Sequence, residues 1–265
     1  MQNEVEVTNL SVHFGDFKAV DSISFSVPKG KIFAFLGPNG AGKTTTIKVL
    51  TTLLQKTSGD VFINGKDVDK DQLKVRSTFG ICFQDQSLDD DLTAMENMEF
   101  HGILYGVPKE IRRNKIAELF KLVELQDRTN DLVQTFSGGM KRRLEIARAL
   151  IHEPAILYLD EPTLGLDPQT RNHIWNYIKD LSTRTHMTIF FTTHYMEEAE
   201  RFAEQVAIID HGHIVASGTP KELIEQTKTS RLEDAFISLT GKTLRDEGAT
   251  ALDTLRQHSR AWGRR

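Results

Sequence analysis

A glycine-rich segment between an apolar run and a helical pattern restricts this chain more than any other feature. The apolar run extends from Ile32 to Leu36, and the helical pattern extends from Thr45 to Leu54. The segment between them is a complete G-x-x-x-x-G-K-T pattern: Gly37-Pro38-Asn39-Gly40-Ala41-Gly42-Lys43-Thr44. A strand, a tight loop and a helix in this order direct backbone N–H groups and a helix N-terminus at a phosphate. The pattern predicts a phosphate site, with Lys43 on the β- and γ-phosphates and the Thr44 hydroxyl on Mg²⁺.

Short apolar runs elsewhere in the chain predict further buried strands. Three of them are similar to Ile32–Leu36: Ala155 to Leu159, Thr188 to Phe191 and Val206 to Ile209. Continuous apolar runs are typical of strands that are buried on both faces. A helical pattern with one apolar face, Arg171 to Leu181, lies between two of these runs. Strands that alternate with helices indicate a mainly parallel α/β sheet.

Two parts of the chain depart from this alternation. Near the N-terminus, Ile23 to Val27 alternates apolar and polar residues, which predicts a sheet with one wetter face. Residues 93–152 are helical in pattern, because Thr93 begins a capping-box sequence and Pro108 opens a second helix. The apolar positions of that second helix are Ile111, Ile116, Leu119, Phe120 and Val123. We therefore expect a helical insertion, about residues 91–152, between strands of the sheet.

The chain becomes more polar after Pro220. Leu232, Phe236 and Leu239 recur at i, i+4 and i+7, which predicts a short helix docked on the rest of the molecule. The last ten residues carry four arginines and no acid, which is typical of a frayed end. We expect one domain over residues 1–225 and a tail over residues 226–265.

Charge and composition exclude several classes of function. The 33 Lys and Arg residues against 37 Asp and Glu give a net charge of −4, so bulk charge provides no case for nucleic acid. The single cysteine, Cys82, excludes an internal disulfide framework and a cysteine-cluster zinc site. No stretch of about 18 uncharged apolar residues is present, so we expect no membrane-spanning helix. The N-terminus has no basic start before an apolar run, so we expect no signal peptide and a reducing, cytosolic compartment.

Two carboxylates follow one of the apolar runs. The sequence Ile156-Leu157-Tyr158-Leu159-Asp160-Glu161 predicts a strand that delivers Asp160 to the carboxyl-terminal edge of the sheet. Ligands bind at that edge in open α/β folds. Asp160 is therefore a candidate to hold Mg²⁺ through water, and Glu161 is a candidate to orient or deprotonate an attacking water.

A pair of glycines precedes another helical pattern between the phosphate loop and the carboxylates. The segment reads Phe136-Ser137-Gly138-Gly139-Met140-Lys141-Arg142-Arg143. Ser137 is a predicted N-cap, and the glycines after it expose backbone N–H groups. These features predict a second anion site at a helix N-terminus. Lys141, Arg142 and Arg143 are interpreted as an exposed first turn.

The Ser-Gly-Gly segment resembles the signature motif of the ATP-binding cassette (ABC) ATPases. That motif is usually Leu-Ser-Gly-Gly-Gln, and this sequence has Phe136 for the leucine and Met140 for the glutamine. A narrower resemblance is to the daunorubicin-resistance type of exporter ATPase. It includes Ser137 to Leu144, Thr193 to Ala199 and Leu232 to Gly241. Relatives that export polysaccharide or lipid share much of this pattern.

Other family landmarks appear in order between about residue 4 and residue 222. Gln84 resembles the Q-loop glutamine, which senses Mg²⁺ and the attacking water. Asp167, in Gly165-Leu166-Asp167, resembles the D-loop aspartate. His194 resembles the switch histidine that contacts the γ-phosphate. Phe14 matches the aromatic residue, usually tyrosine, that stacks on adenine.

The resemblance implies a P-loop NTPase of the α/β class and hydrolysis of ATP to ADP and phosphate with Mg²⁺. The RecA-like core and an N-terminal antiparallel β-subdomain would occupy residues 1–90 and 153–225, with the helical subdomain inserted. The implied catalytic residues are Glu161 as general base, His194 and Gln84, and the implied metal ligands are Thr44, Gln84 and Asp160. The implied nucleotide contacts are Phe14, the loop from Gly37 to Thr45, Met140 and Asp167, with Ser137, Gly138 and Gly139 contributed by the opposite subunit.

The resemblance also implies partners. A homodimer of cassettes would dock on a separate membrane permease, at the cytoplasmic face of the cell membrane. One alternative is a non-transport cassette that acts on ribosomes or DNA, although such proteins usually carry two cassettes or long coiled-coil inserts. Another is a regulatory cassette that binds ATP without turnover, against which the presence of Glu161 and His194 argues. Import is a third option, and the transported substrate is chosen by the permease.

Overall fold

A computed structural model of the chain describes residues 2–241, and the end of the predicted tail, residues 242–265, lies outside them. The strands are β1 (Asn3–Phe14), β2 (Phe17–Pro28), β3 (Ile32–Leu36), β4 (Ser58–Ile63), β5 (Lys66–Asp67), β6 (Phe79–Cys82), β7 (Ile156–Asp160), β8 (Thr188–Thr193), β9 (Gln205–Asp210) and β10 (His213–Gly218). The helices are α1 (Lys43–Leu50), α2 (Gln72–Arg76), α3 (Ala94–Leu104), α4 (Lys109–Leu122), α5 (Gly138–Ala149), α6 (Pro168–Thr185), α7 (Met196–Phe202), α8 (Pro220–Thr227) and α9 (Leu232–Thr240).

The larger sheet has six strands in the order β10-β9-β3-β8-β7-β6. Neighbouring strands are parallel except in the β9–β10 hairpin, so the predicted mainly parallel sheet is confirmed. Every residue of β3, β7 and β8 is buried. β8 continues two residues beyond the predicted apolar run, because Thr192 and Thr193 donate their hydroxyl groups to the carboxylates of Asp160 and Glu198. These hydrogen bonds allow polar side chains inside the sheet.

The smaller sheet is antiparallel, with the order β2-β1-β4-β5. Its inner face packs on the larger sheet through aromatic rings. The ring centroid of Phe25 on β2 lies 5.7 Å from that of Phe33, 5.4 Å from that of Phe35 and 6.1 Å from that of Phe190. Ser24 and Ser26, which flank Phe25, are exposed. The predicted alternation of residues, with one face of the sheet exposed to solvent, is therefore confirmed.

Three helices, α3 to α5, lie between β6 and β7 in the chain. The predicted capping box begins α3: Thr93 Oγ1 accepts from the Glu96 backbone N–H at 3.1 Å, and Glu96 Oε2 accepts from that of Thr93 at 2.8 Å. The predicted apolar face of α4 is wrong at one position, since Ile111 is 59% exposed whereas Ile116 and Phe120 are buried. The buried contacts of α4 lie in its second half. Within residues 2–241, no helix has both the length and the apolarity needed to cross a membrane.

The predicted short helix after Pro220 is present as α9. Leu232 and Phe236 are buried, and Leu239 is half-buried against the same core. The backbone N–H of Leu232 donates to Glu200 Oε2 at 2.8 Å, which attaches the start of α9 to α7. α9 is therefore docked on the domain by apolar contacts and by one polar contact.

Candidate active site

The glycine-rich loop joins β3 to α1 and is tightly packed at its first and last glycines. A Cβ at Gly37 would lie 2.3 Å from the backbone oxygen of Ile209, and a Cβ at Gly42 would lie 2.6 Å from that of Ala19. Gly42 also has a φ of +109°, a left-handed conformation that favours glycine. α1 begins immediately after it, without a side-chain cap and without an acidic residue in its first turn. The first N–H groups of a helix have no partner within it, so this loop is suited to an anion.

Lys43 is buried at the start of α1. Its Nζ donates to the backbone oxygens of Gly37 at 2.7 Å and Pro38 at 3.2 Å. The same Nζ lies 3.1 Å from Oε1 of Glu161, and each of these two side chains is only 5% exposed. The structure thus brings together the lysine of the glycine-rich loop and the carboxylate that was predicted to act on water.

Asp160 ends β7 and faces both the loop and the neighbouring strand. Its Oδ1 accepts a hydrogen bond from Thr192 Oγ1 at 2.5 Å and one from Thr44 Oγ1 at 3.4 Å. Burial raises the pKa of Asp160, and the hydrogen bonds from Thr192 and Thr44 oppose this shift only in part. Thr192 was not predicted as a site residue. The signal for it is a polar pair, Thr192-Thr193, at the end of an otherwise apolar strand.

Glu161 is held in a single orientation by contacts on both sides of its carboxylate. Its backbone has a φ of +49°, and its N–H donates to Thr192 Oγ1 at 3.0 Å. His194 Nδ1 lies 2.7 Å from Oε2, the oxygen that does not face Lys43. Burial raises the pKa of Glu161, but the hydrogen bond with His194 and the charge of Lys43 outweigh it, so the pKa lies below its usual value. Glu161 is therefore a carboxylate at neutral pH, able to accept a proton from water.

Gln84 is exposed on the link from β6 to α3. β6 and β7 are parallel, with Cys82 opposite Leu159, so Gln84 leaves the sheet at the same edge as Asp160 and Glu161. Phe14 lies at the tip of the β1–β2 hairpin and is 52% exposed. An exposed ring at this position is available for contact, whereas a core residue would be covered.

The second glycine pair forms a separate surface. Ser137 is the N-cap of α5, as predicted, and its Oγ accepts from the Met140 N–H at 3.3 Å. Ser137, Gly139 and Met140 line a pocket of about 220 Å³ with residues of α6, and residues 37–45 are not in its lining. Asp167 is the exposed N-cap of α6, where it accepts from the N–H groups of Gln169 and Thr170 at 3.0 Å each.

The predicted exposed first turn of α5 is wrong, since Lys141 and Arg143 are half-buried and Arg142 is buried most deeply. The Arg142 side chain is buried, because the helix directs residue 142 inward. The guanidinium there donates to three backbone oxygens and pairs with Glu145 at 3.0 Å. The sequence does carry a signal for this contact: Glu145 lies three residues after Arg142 and within an apolar run, Leu144-Glu145-Ile146-Ala147. Opposite charges at this spacing on a buried face indicate an internal pair.

A phosphate loop, two strand-end carboxylates and a histidine at one sheet edge define an ATPase of the P-loop class. The profile of the family described as "ABC transporter" matches residues 20–164, and the chain belongs to that family. It is 41% identical to the linearmycin resistance ATP-binding protein LnrL of Bacillus subtilis (strain 168), over 88% of this chain and 77% of that protein.

Two further relatives carry names related to resistance or export. The chain is 38% identical to the daunorubicin resistance ATP-binding protein DrrA3 of Streptomyces coeruleorubidus, over 86% of this chain and 72% of that protein. It is 40% identical to the Nod factor export ATP-binding protein I of Ralstonia nicotianae, over 83% of this chain and 68% of that protein.

Solved structures of cassettes share this fold. One, an ATP-binding subunit of an ABC transporter, has a TM-score of 0.80 and 28% identity over 89% of this chain and 99% of its own. Another is a dimeric ATP-binding cassette in a post-hydrolysis state with ADP and Pi, with a TM-score of 0.73 and 28% identity over 81% of this chain and 98% of its own. The chain is accordingly an ATP-binding cassette that hydrolyses ATP.

The hairpin that carries Phe14 offers a matched pair of rings. If Phe14 stacks on adenine, Phe14→Ala should weaken ATP binding by roughly 1–3 kcal/mol, the range for base–aromatic stacking. Phe17→Ala, in the same hairpin and 64% exposed, is the control and should bind ATP as the wild type does. Isothermal titration with Mg-ATP measures both affinities. Equal affinities in the two variants would remove Phe14 from the nucleotide site.

Proposed function

We propose that this chain is the ATP-hydrolysing subunit of an exporter and works as one of two identical cassettes on a separate membrane permease. The observation that carries the proposal is the contact chain from Lys43 through Glu161 to His194. It joins the lysine that would bind the phosphates to the carboxylate that would act as general base, and this arrangement argues against a purely regulatory cassette. Two relatives are named for resistance to linearmycin or daunorubicin and one for Nod factor export, which supports export of a drug, lipid or polysaccharide-type substrate selected by the permease.

Each residue of the proposed site would have a separate role in ATP hydrolysis. The N–H groups of residues 37–45 and the ammonium group of Lys43 would bind the phosphates. Lys43 Nζ would exchange Glu161 and the loop carbonyl oxygens for phosphate oxygens as ATP binds. Departure of this positive charge raises the pKa of Glu161 and makes it a stronger base toward the attacking water. His194 would keep the carboxylate in position through its bond to Oε2, and Gln84 would contact the same water.

The oxygen atoms around Asp160 fit Mg²⁺. In the part of the chain that the structure describes, no three His, Cys, Asp or Glu residues form a metal cluster. Mg²⁺ bound to nucleotides typically takes one or two protein oxygens and completes its shell with phosphates and water. Thr44 and Asp160, whose side-chain oxygens are 3.4 Å apart, would hold the ion with Gln84. When bound, Mg²⁺ neutralises charge that develops on the phosphates.

Two copies of the chain would complete each nucleotide site. The phosphate loop presents one helix N-terminus, and the pocket beside Ser137 presents another that residues 37–45 do not line. In a twofold dimer, Ser137, Gly138, Gly139, Met140 and Asp167 of the partner subunit would close the nucleotide that the loop holds. The dimeric cassette with ADP and Pi supports this arrangement. A twofold axis satisfies both sites at once.

The first test removes the general base. Glu161→Gln retains the shape of the side chain and loses the negative charge that accepts the proton. We expect ATP hydrolysis to fall by about 10²-fold or more, with ATP binding nearly unchanged. Phosphate release in a coupled assay measures turnover, and titration with Mg-ATP measures binding. Near wild-type turnover would remove Glu161 from the mechanism.

The second test concerns assembly. Without hydrolysis, ATP should hold two chains together, so Glu161→Gln should be a monomer or weak dimer alone and a stable dimer with Mg-ATP. Ser137→Arg in the same background should abolish the dimer and spare ATP binding, while Ser238→Arg, exposed on α9, is the control. Light scattering gives the mass. An unchanged mass with Mg-ATP would contradict a composite site in the isolated cassette.

A surface on α3 fits the permease contact. Phe100, Ile103 and Leu104 are each more than half exposed. They follow the segment from Gln84 to Met98, which connects the proposed γ-phosphate sensor to the helices. An exposed apolar patch of this kind is typical of a protein interface. The acidic run Asp89-Asp90-Asp91 would favour a basic element on the permease. This contact would place the chain at the cytoplasmic face of the membrane.

Charge placed on that patch tests the docking surface. Phe100→Asp should abolish co-purification with the permease and leave the ATP affinity of the isolated chain unchanged. Leu73→Asp is the matched control, because Leu73 is 82% exposed on α2, a helix that is not part of the helical insertion. Crosslinks from the permease should fall within residues 84–120. Crosslinks confined to residues 228–265 would overturn this assignment.

A further inference from the structure

Arg142 connects the loop that carries Gln84 to the segment that carries Glu161. It lies about one turn into α5, the helix that Ser137 caps, and is 7% exposed. Its Nη1 donates to the backbone oxygen of Phe83 at 2.6 Å, and its Nη2 donates to that of Asp160 at 3.1 Å. Its Nε donates to the backbone oxygen of Pro162 at 2.9 Å. One planar group thus bonds to the residue before Gln84 and to the residues on both sides of Glu161.

Glu145 completes this network. Its Oε2 accepts from Arg142 Nη1 at 3.0 Å, and its Oε1 accepts from the backbone N–H of Ser87 at 2.8 Å. The loop that carries Gln84 is therefore attached to α5 on both sides of the glutamine, at Phe83 through Arg142 and at Ser87 through Glu145. Arg148, also on α5, donates to the backbone oxygen of Ser87 at 2.7 Å and strengthens the second attachment.

A contribution to folding stability does not by itself explain why an arginine and a glutamate are buried here. A buried ion pair is often replaced by apolar residues of similar size without loss of stability. An arginine, however, presents donors in a rigid planar fork, which a lysine or an apolar side chain does not. Here the donors end on backbone oxygens that lie just beyond the last paired residues of β6 and β7, where the ladder between the two strands has stopped. The arrangement suits a residue that sets the relative position of the segments that follow these strands.

We propose that Arg142 is a positioning residue, which holds Gln84 and Glu161 in register with the N-terminus of α5. Contact of a nucleotide with Ser137 would then be transmitted through about one helical turn to the loop backbones that carry the water-activating groups. The inference rests on the roles proposed above for Gln84, Glu161 and Ser137. It adds a mechanical link, within one chain, between the surface that faces the partner subunit and the base that serves the chain's own nucleotide.

The test separates positioning from stability with three variants of the full chain. Arg142→Lys keeps the charge and loses the fork. Arg142→Met leaves Glu145 buried without its partner, and Arg142→Met combined with Glu145→Leu removes both charges. Steady-state kcat and KM for ATP are measured per ATP-binding molecule, counted by titration with a fluorescent ATP analogue, and thermal midpoints are recorded alongside.

We expect Arg142→Lys to lower kcat by about 10-fold or more, because small misplacements of reacting groups cost up to about 10²-fold, while KM changes by less than about 3-fold. The double variant should recover part of the thermal midpoint that Arg142→Met loses, because Glu145 is no longer left as an unpaired buried charge, and its kcat should stay low. Recovery of both the midpoint and kcat in the double variant would assign Arg142 a structural role only. Wild-type kcat in folded Arg142→Lys would also overturn the proposal.

Two controls keep the outcomes distinct. Arg112, on α4, pairs with Glu99 and donates to the backbone oxygen of Val107 at 2.7 Å, within the helical segment, so Arg112→Met should retain wild-type kcat. Glu161→Gln is measured in parallel. Retained turnover in Glu161→Gln would show that the proposed catalytic roles are wrong, whereas loss there with retained turnover in the Arg142 variants would refute this inference alone.

Discussion

The contact between Lys43 and Glu161 is the constraint on which the rest of the site depends. Two opposite charges are almost fully removed from water and lie 3.1 Å apart. Burial of either charge alone would cost several kcal/mol, so each needs the other and further hydrogen bonds. The backbone oxygens of Gly37 and Pro38 serve Lys43, and His194 serves Glu161. Three strands, β3, β7 and β8, must therefore end at the same level of the sheet.

The regular fold was predictable because its signals are local. Buried strands such as Ile32–Leu36 carry continuous apolar runs, and the capping box at Thr93 is a short-range hydrogen-bond pattern. The prediction that Ile111 is buried was wrong. Helical periodicity identifies the apolar face of α4, but it does not show how much of the length of that face other elements cover. The roles of the phosphate loop, Asp160 and Glu161 could be proposed because their strand, loop and helix contexts are contiguous in sequence.

Contacts between distant segments were less predictable. Arg142 bonds to Phe83 and Pro162, which are 59 and 20 residues away in the chain. The sequence of three consecutive basic residues does not indicate which of them is buried. Thr192 was missed for the same reason, because its partner Asp160 lies on another strand. Long-range polar contacts of buried groups are set by tertiary packing, and a single sequence carries only indirect signs of them.

One exchange is central to the proposed mechanism: Lys43 would leave Glu161 for the phosphates as ATP binds, and Glu161 would keep its bond to His194. A crystal structure of the full chain with Mg²⁺ and a non-hydrolysable ATP analogue tests this directly. We predict Lys43 Nζ within hydrogen-bond distance of β- and γ-phosphate oxygens, no longer 3.1 Å from Glu161 Oε1, and His194 Nδ1 still on Oε2. A structure in which the analogue is bound and Lys43 remains on Glu161 would contradict the account.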